Sequence, residues 1–303
     1  MTELYELQEQ GYCVFEQVFE PNEMAWLQQA CQKVLSGVSQ QHRDRNRSQG
    51  SLVLLADHPP FGRLLGHPRL SEIFRRLKFA DPRFSSGYII SKPPQGPPLF
   101  WHQDWWGWND PSSYTPEVAQ VFVMIYLQET RPQNGCLRVI PRSHHVLHEF
   151  HQANAHTEAL SRVENPEDPL FQPHEDQVAV PVNCGDVVVG DARLIHGAFA
   201  NAQAEERTLI TLWFHPNFQA LAPALQSRIC DIFLRKGHDT DPGGAEKRTL
   251  LDWPEELRRG VDAYFPEMEK PVPPNPWCRV PERPGQGGAQ RDGSTSETRG
   301  GRR

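Results

Sequence analysis

The chain has 303 residues, of which 38% are hydrophobic and 23% charged, a composition typical of globular proteins and unlike that of disordered or membrane proteins. The formal net charge is −7, and Lys and Arg form no dense block along the part expected to fold, which argues against nucleic acid as a partner. No run approaches the roughly 18 apolar residues that span a bilayer, and the acidic, polar N-terminus is unlike a signal peptide. We therefore expect a cytoplasmic protein with no membrane partner.

The six cysteines are scattered, without a Cys-x-x-Cys pair, in a chain long enough to fold without disulfides. We expect them to be reduced and mostly buried, since small cytosolic thiols behave as hydrophobic side chains. A zinc site or a disulfide framework is disfavoured.

Helical periodicity predicts α-helices on both sides of the central part of the chain. Apolar residues recur at intervals of three and four after Pro21, and again after Pro68. A third helical pattern follows Pro216. We expect helical flanks at about residues 20–80 and 217–265.

From about Phe84 the chain changes to short β-branched and aromatic runs separated by Pro and Gly. Such runs with turn signals between them favour an antiparallel sandwich or barrel. No alternation of strands with helices and no glycine-rich phosphate loop is present, so a nucleotide-binding sheet fits poorly. The predicted strands are residues 84–90, 119–127, 136–140, 178–182, 186–190 and 207–214.

The end of the chain has a different composition. Residues 281–303 contain almost nothing apolar and are rich in Gly, Arg and Ser. Such a segment cannot bury enough surface to offset the entropy of ordering it. We expect one domain over residues 1–280 and a disordered tail after it.

Four tryptophans surround a histidine and an aspartate in "PPLFWHQDWWGWND", residues 97–110. On a strand, His102 and Asp104 would point to the same face, so their side chains can converge on one ion. His196, in "GDARLIHGAF", supplies a second imidazole from a distant part of the chain. Two histidines and a carboxylate on one face of an octahedral ion suit non-haem Fe(II) oxygen chemistry.

Arg207 lies eleven residues after His196, at the start of the predicted strand "RTLITLWF". A guanidinium on a strand near a metal can bind a carboxylate through two hydrogen bonds, which Lys does less well. A chelating 2-oxo acid with a remote carboxylate would satisfy both the iron and Arg207.

These motifs together resemble the phytanoyl-CoA dioxygenase-like group of Fe(II)/2-oxoglutarate oxygenases. A His-x-Asp motif alone is weak, whereas the whole series in this order is specific, and the resemblance covers roughly residues 8–216. The motifs are "GYCVFEQVFEPNEMAWL" at 11–27, His102-Gln103-Asp104, "NGCLRVIPRSH" at 134–144, "GDARLIHG" at 190–197, and Arg207.

The resemblance implies a mainly β fold, a double-stranded β-helix (a cupin-like jelly roll) with flanking α-helices. It implies iron held by His102, Asp104 and His196, with the far carboxylate of 2-oxoglutarate on Arg207. It also implies a dioxygenase that uses Fe(II), 2-oxoglutarate and O2 to hydroxylate an aliphatic C–H bond of a small-molecule substrate, releasing succinate and CO2. The identity of that substrate and the oligomeric state are left open.

The resemblance assigns further residues less specifically. Gln103, Gln120 and Lys92 lie where the family often places contacts to 2-oxoglutarate or to the iron ligands, and ordinary strand polarity is the alternative. Trp105 and Trp106 lie where the family has a wall of the substrate pocket, and core packing is the alternative.

Two positions depart from the family pattern. Ala198 stands where a serine often helps to hold the 2-oxoglutarate carboxylate, and Arg142 stands where the family has a turn glycine. The first departure weakens a secondary contact to 2-oxoglutarate, and neither affects the iron ligands.

Other functions remain as alternatives. A halogenase on the same scaffold has Ala or Gly in place of the carboxylate ligand, and the presence of Asp104 argues against it. A catalytically silent jelly-roll binding protein is a second alternative, which intact ligands and Arg207 disfavour. The histidine-rich segment "SHHVLHEFH", residues 143–151, lacks the spacing of a zinc protease, so we expect those histidines to face solvent.

Overall fold

The computed structural model describes residues 2–234, 252–258, 262–265 and 272–281. The tail predicted from residue 281 onward lies outside the described residues, apart from Pro281. Helices occupy both flanks of the strand-rich part, as predicted. They are α1 (Glu3–Gln10), α2 (Pro21–Leu35), α3 (Gln40–Arg45), α4 (Gly62–Leu65), α5 (Pro68–Arg76), α6 (Glu158–Arg162), α7 (Pro223–Leu234) and α8 (Glu255–Arg258).

All six predicted strands overlap strands of the structure. The strands are β1 (Tyr12–Phe15), β2 (Val53–Leu54), β3 (Arg83–Lys92), β4 (Leu99–His102), β5 (Val121–Tyr126), β6 (Leu137–Val139), β7 (Val178–Val180), β8 (Val187–Asp191), β9 (His196–Ala198) and β10 (Arg207–His215).

These strands form two antiparallel sheets. One has six strands in the order β1-β8-β5-β10-β3-β2, and the other has four in the order β4-β9-β6-β7. Side chains of both sheets, among them Phe122, Val188, Val139 and Val180, belong to one buried cluster, so the sheets pack face to face. This is the predicted jelly roll.

Strand β5 shows that both faces of the larger sheet are covered by apolar packing. Successive side chains point to opposite faces, so Val121 and Val123 contact the helical layer, while Phe122 and Met124 contact the smaller sheet. All residues of β5 are buried, which explains its continuous apolar sequence.

Helix α2 covers the outer face of the six-stranded sheet. Pro21 occupies its first turn, and Glu20 and Glu23 form a capping box that satisfies backbone N–H groups at the helix start. Leu27 and Cys31, four residues apart, are buried against the sheet. Sequence periodicity and tertiary packing therefore agree here.

Arg142 has a backbone φ of 69°, in the left-handed region, where the family pattern has a glycine. Its N–H donates to the carbonyl of Gln10 at 3.0 Å, which ties this turn to α1. The left-handed conformation costs a residue with a Cβ about 1 kcal/mol. The arginine thus keeps the turn geometry of the glycine at a small cost in stability.

The cysteines agree with expectation, since all six are free and four of them are buried. Among the described residues, no helix is both long and apolar enough to cross a bilayer.

Candidate metal centre

His102 and His196 face each other across the smaller sheet. His102 is the last residue of β4 and pairs in register with His196, the first residue of β9. Their ring centroids are 4.2 Å apart, and both side chains are buried. Antiparallel pairing therefore joins two distant parts of the chain at one point.

Asp104 reaches the same point from outside the strand. The prediction of a strand through residue 104 is wrong, because β4 ends at His102 and the Asp104 N–H donates to the carbonyl of Ala192 at 2.8 Å. Its Oδ1 lies 3.7 Å from His102 Nε2, and its Oδ2 lies 3.7 Å from His196 Nε2. The three candidate ligand atoms lie within 4.8 Å of one another, a spacing that one metal ion can bridge.

Backbone carbonyls set the protonation of both rings. His102 Nδ1 lies 3.0 Å from the carbonyl of Phe100, and His196 Nδ1 lies 3.0 Å from that of Leu194. Because a carbonyl only accepts, each Nδ1 carries the proton and each Nε2 offers a lone pair toward Asp104. Burial lowers the pKa of His102 well below its usual value, which keeps that ring neutral, as a metal ligand must be.

Trp213 supports the carboxylate, and the sequence interpretation missed it. Its indole Nε1 donates to Asp104 Oδ2 at 2.8 Å. Burial raises the pKa of Asp104, but His196, His102 and the indole outweigh burial and lower it overall. The signal was the alternation of β10, which places Trp213 on the same face as Arg207.

A second group of potential ligands consists of His148, His174 and Asp176. Here the backbone contacts are reversed: His148 Nδ1 accepts from the N–H of Phe150, and His174 Nδ1 accepts from the N–H of Asp176, both at 3.2 Å. Each Nε2 must then carry the proton, so neither ring has a free lone pair with which to bind a metal ion. This cluster is a poorer metal site than the first.

Arg207 begins β10 with its side chain on the inner face of the larger sheet, together with Leu209. It is buried, and its Nε and Nη1 have no hydrogen-bond partner among the described residues. Burial lowers its pKa, yet a guanidinium stays charged in proteins. A buried cation with free donors is costly unless an anion is bound to it, so this position fits the far carboxylate of 2-oxoglutarate.

Lys92 pairs with Arg207 across β3 and β10, so it does lie near the predicted 2-oxoglutarate position. Its Nζ, however, donates to the backbone carbonyls of Ser48 and Pro97. Burial and the neighbouring Arg207 lower the pKa of Lys92 well below its usual value, which favours a neutral amine. The contacts of Lys92 are thus structural ones.

The two predicted glutamines lie apart from Arg207. Gln103 Nε2 donates to the carbonyl of Arg279 at 2.7 Å, which binds the C-terminal segment of residues 272–281. Gln120 immediately precedes β5 and lies near the C-terminal end of β10, whereas Arg207 is at its N-terminal end. Their positions favour contacts on the iron and substrate side of the barrel over contacts to the far carboxylate.

Trp105 and Trp106 do not alternate on a strand, because they follow the end of β4. Trp105 is fully buried and donates through Nε1 to the hydroxyl of Ser113 at 2.7 Å. Both tryptophans belong to a hydrophobic cluster beneath α7, and the ring centroid of Trp106 is 5.1 Å from that of Trp277. Their placement matches core packing, with Trp106 also contacting the C-terminal segment.

The candidate centre opens toward β3. Ser86, Tyr88 and Ile90 lie on the inner face of that strand and remain partly exposed, as do Asp104 and Trp213. The carboxylate side of the triad is therefore its less completely buried side.

His156 is a further neighbour that the sequence interpretation missed. Its ring centroid is 5.6 Å from that of His102, and its Nε2 lies 2.9 Å from the carbonyl of Gln103. Burial lowers the pKa of His156 to about 4, so this ring is neutral near neutral pH. A histidine in an irregular loop gives no periodic signal by which it could have been found.

The phytanoyl-CoA dioxygenase (PhyH) family model matches residues 7–209 of the chain. The chain belongs to this family. Ectoine dioxygenase of Sphingopyxis alaskensis is 25% identical over 207 residues, which cover 63% of this chain and 67% of that relative. A probable alpha-ketoglutarate-dependent hypophosphite dioxygenase of Stutzerimonas stutzeri is 23% identical over 224 residues, covering 68% and 75%.

Solved structures agree with this PhyH assignment. The non-haem alpha-ketoglutarate-dependent carbocyclase SnoK from nogalamycin biosynthesis is 26% identical, with a TM-score of 0.51 over 70% of this chain and 82% of SnoK. The protein is thus an enzyme, a dioxygenase that uses Fe(II), 2-oxoglutarate and O2. The predicted family, jelly-roll fold, enzyme class and cofactors are confirmed.

Proposed function

We propose that this PhyH enzyme hydroxylates an aliphatic C–H bond of a small molecule, with Fe(II) held by His102, Asp104 and His196. The observation that carries the proposal is the buried triad, with Asp104 oxygens 3.7 Å from both Nε2 atoms and both Nδ1 protons held by carbonyls. Three such ligands leave three positions of an octahedron for 2-oxoglutarate and O2.

Backbone and side-chain groups of the protein orient the three candidate ligands before a metal binds. The carbonyls of Phe100 and Leu194 fix the imidazole tautomers, and Trp213 orients the carboxylate. Iron held there would supply the activation of O2, with two electrons from the oxidative decarboxylation of 2-oxoglutarate and two from the substrate C–H bond. One oxygen atom then appears in succinate and the other in the hydroxyl group of the product, with CO2 released.

Arg207 is our candidate for the far carboxylate of 2-oxoglutarate. Its unpartnered Nε and Nη1 and its complete burial support this role. Ala198, on β9, offers no hydroxyl group to assist it. We assign Lys92 a structural role, since it binds backbone carbonyls beside this position. We assign Gln103 and Gln120 to contacts on the side of the barrel that holds the iron and the substrate.

The presence of Asp104 favours hydroxylation over halogenation, because the carboxylate occupies the position that chloride would need. The intact triad and Arg207 likewise disfavour a silent binding protein. The family relatives act on compounds as different as ectoine and hypophosphite, to judge by their names, so the substrate class needs its own evidence.

The experiment is turnover of a metabolite pool by the Fe(II)-loaded enzyme with 2-oxoglutarate and O2. We expect succinate to form and at least one pool component to gain the mass of one oxygen atom. The His196→Ala variant is the control and should yield neither. Failure of the wild-type enzyme to form succinate with bound iron would favour the silent binding protein.

A further inference from the structure

The C-terminal segment of residues 272–281 is attached beside the candidate centre. Cys278 exchanges backbone hydrogen bonds with the loop after Asp104: its N–H donates to the carbonyl of Trp106 at 2.9 Å, and its carbonyl accepts from Trp108 at 3.0 Å. Gln103 binds the next carbonyl of the segment, that of Arg279. The side chain of Arg279 is thereby held near the triad.

Arg279 brings a guanidinium to the open side of the centre. Its Nη1 donates to the backbone carbonyl of Asp104 at 3.1 Å and lies 3.2 Å from His156 Nε2. Burial lowers its pKa, and the nearby carboxylate of Asp104 offsets part of that shift. The Arg279 side chain is partly exposed, like those of Tyr88 and Asp104, so a solute can reach it from solvent.

The donors of Arg279 are mostly unused within the part of the chain that the structure describes. His156 Nε2 carries its proton, since it points at the carbonyl of Gln103, and therefore cannot accept from Arg279. Among the described residues, the backbone carbonyl of Asp104 is the one acceptor left for five N–H donors. Trp277 contacts the guanidinium through its ring, 5.2 Å away, and contributes no acceptor.

The charges of the loaded centre also leave Arg279 unpaired. Fe(II), Asp104, doubly charged 2-oxoglutarate and Arg207 have formal charges that cancel. The guanidinium of Arg279 then remains as a positive charge, partly removed from water, without a carboxylate partner. Such a charge is stabilised by an anion that approaches from solvent.

We infer that Arg279 binds an anionic group of the substrate, so that the enzyme acts on small molecules that carry a carboxylate or a phosphate. This inference rests on the proposed function, because it takes the substrate to lie beside the triad. A guanidinium positions such a group through paired, charge-assisted hydrogen bonds, and so directs a C–H bond toward the iron.

The test uses the full-length protein and matched probes: small carboxylic acids, phosphate monoesters, and the neutral amide or alcohol that corresponds to each. Binding is measured by calorimetry on protein loaded with Ni(II) and 2-oxoglutarate, which occupy the centre without turnover. Succinate formation with Fe(II) is measured in parallel. Comparing the carboxylic acids with the phosphate monoesters shows which of the two anionic groups the enzyme prefers.

We expect anionic probes to bind and to be oxidised in preference to their neutral counterparts. Arg279→Gln should weaken binding of the preferred anion about tenfold to a hundredfold, the effect of losing a charge-assisted hydrogen bond. It should raise KM with little change in kcat and leave the neutral counterpart unaffected. Arg279→Lys keeps the charge and should recover part of the affinity.

Arg228→Gln is the matched control. Arg228, on α7, also holds the segment of residues 272–281, because its Nε donates to the carbonyl of Asn275. Equal losses in the Arg228 and Arg279 variants would show that segment docking matters and would overturn the inference. So would preferential binding of neutral probes, or of none. A wild-type enzyme that forms no succinate at all contradicts the proposed function instead, and the calorimetric arm still decides the role of Arg279.

Discussion

The indole of Trp213 should contribute measurably to iron affinity, and Trp213→Phe removes its hydrogen bond while keeping an aromatic ring. The bond is 2.8 Å long and its acceptor is a carboxylate. Hydrogen bonds to charged groups contribute about 1.5–3 kcal/mol, or roughly 10- to 100-fold in affinity. The Asp104 side chain is 12% exposed, so water can replace the indole in part. We therefore expect the lower end, an increase of about tenfold in the Fe(II) dissociation constant.

The assay is anaerobic competition for Fe(II) between the protein and a chelator of known affinity. Trp101→Phe is the control, because Trp101 is fully buried and its Nε1 donates to the carbonyl of Gln172 at 2.9 Å, away from the iron ligands. This variant should lose about 1–3 kcal/mol of stability and keep its iron affinity. Equal losses of iron affinity in the two variants, or an unchanged dissociation constant in Trp213→Phe, would refute the reasoning.

Changes elsewhere should separate the remaining roles. His196→Ala should abolish stoichiometric Fe(II) binding, and unchanged iron content would remove His196 from the ligand set. Arg207→Ala should raise the KM for 2-oxoglutarate about a hundredfold, from a loss of about 2–3 kcal/mol, and spare iron; an unchanged KM would assign the carboxylate to another residue. Because we assign Asp104 to the iron position that chloride would need, turnover in concentrated NaCl should give a product heavier by one oxygen, and a chlorinated product by mass spectrometry would contradict this. Truncation after Pro281 should preserve the thermal midpoint and 2-oxoglutarate turnover, and a large drop in either would show that the tail docks. His151 is buried, against the expectation that the histidines of residues 143–151 face solvent, and burial lowers its pKa from 6.5 to about 4, so the unfolded chain takes up that proton first as the pH falls. The free energy of unfolding should then fall between those pH values by up to about 3 kcal/mol, and denaturant titrations of His151→Gln should show a weaker pH dependence.

The segment of residues 272–281 changes the expectation for the C-terminus. The sequence predicts that the folded part ends near residue 280, and the contacts of Arg279 and Cys278 with the loop after Asp104 show that the chain still packs on the domain at residues 278 and 279. Composition alone marks where apolar side chains stop. It contains no information about which loop Cys278 and Arg279 contact.

Local periodicity determined the strands and helices, because each element must bury one face and its apolar residues repeat accordingly. The order and spacing of His102, Asp104, His196 and Arg207 along the chain identified them as candidates, since few residue types bind iron or a carboxylate. The wrong expectation of a strand through Asp104 has a physical reason too. The end of β4 depends on pairing with β9, and β9 is about ninety residues further along the chain.

The tertiary structure alone decided which groups surround these candidates. The Nδ1 proton of His102 depends on a carbonyl two residues away, but the indole on Asp104 comes from β10 and the guanidinium beside it from the C-terminal segment. Hydrogen bonds between distant residues follow from how sheets and loops pack, and they leave no periodic trace in the sequence. The candidate iron ligands could therefore be proposed from the sequence, whereas the residues that contact them became visible only in the folded chain.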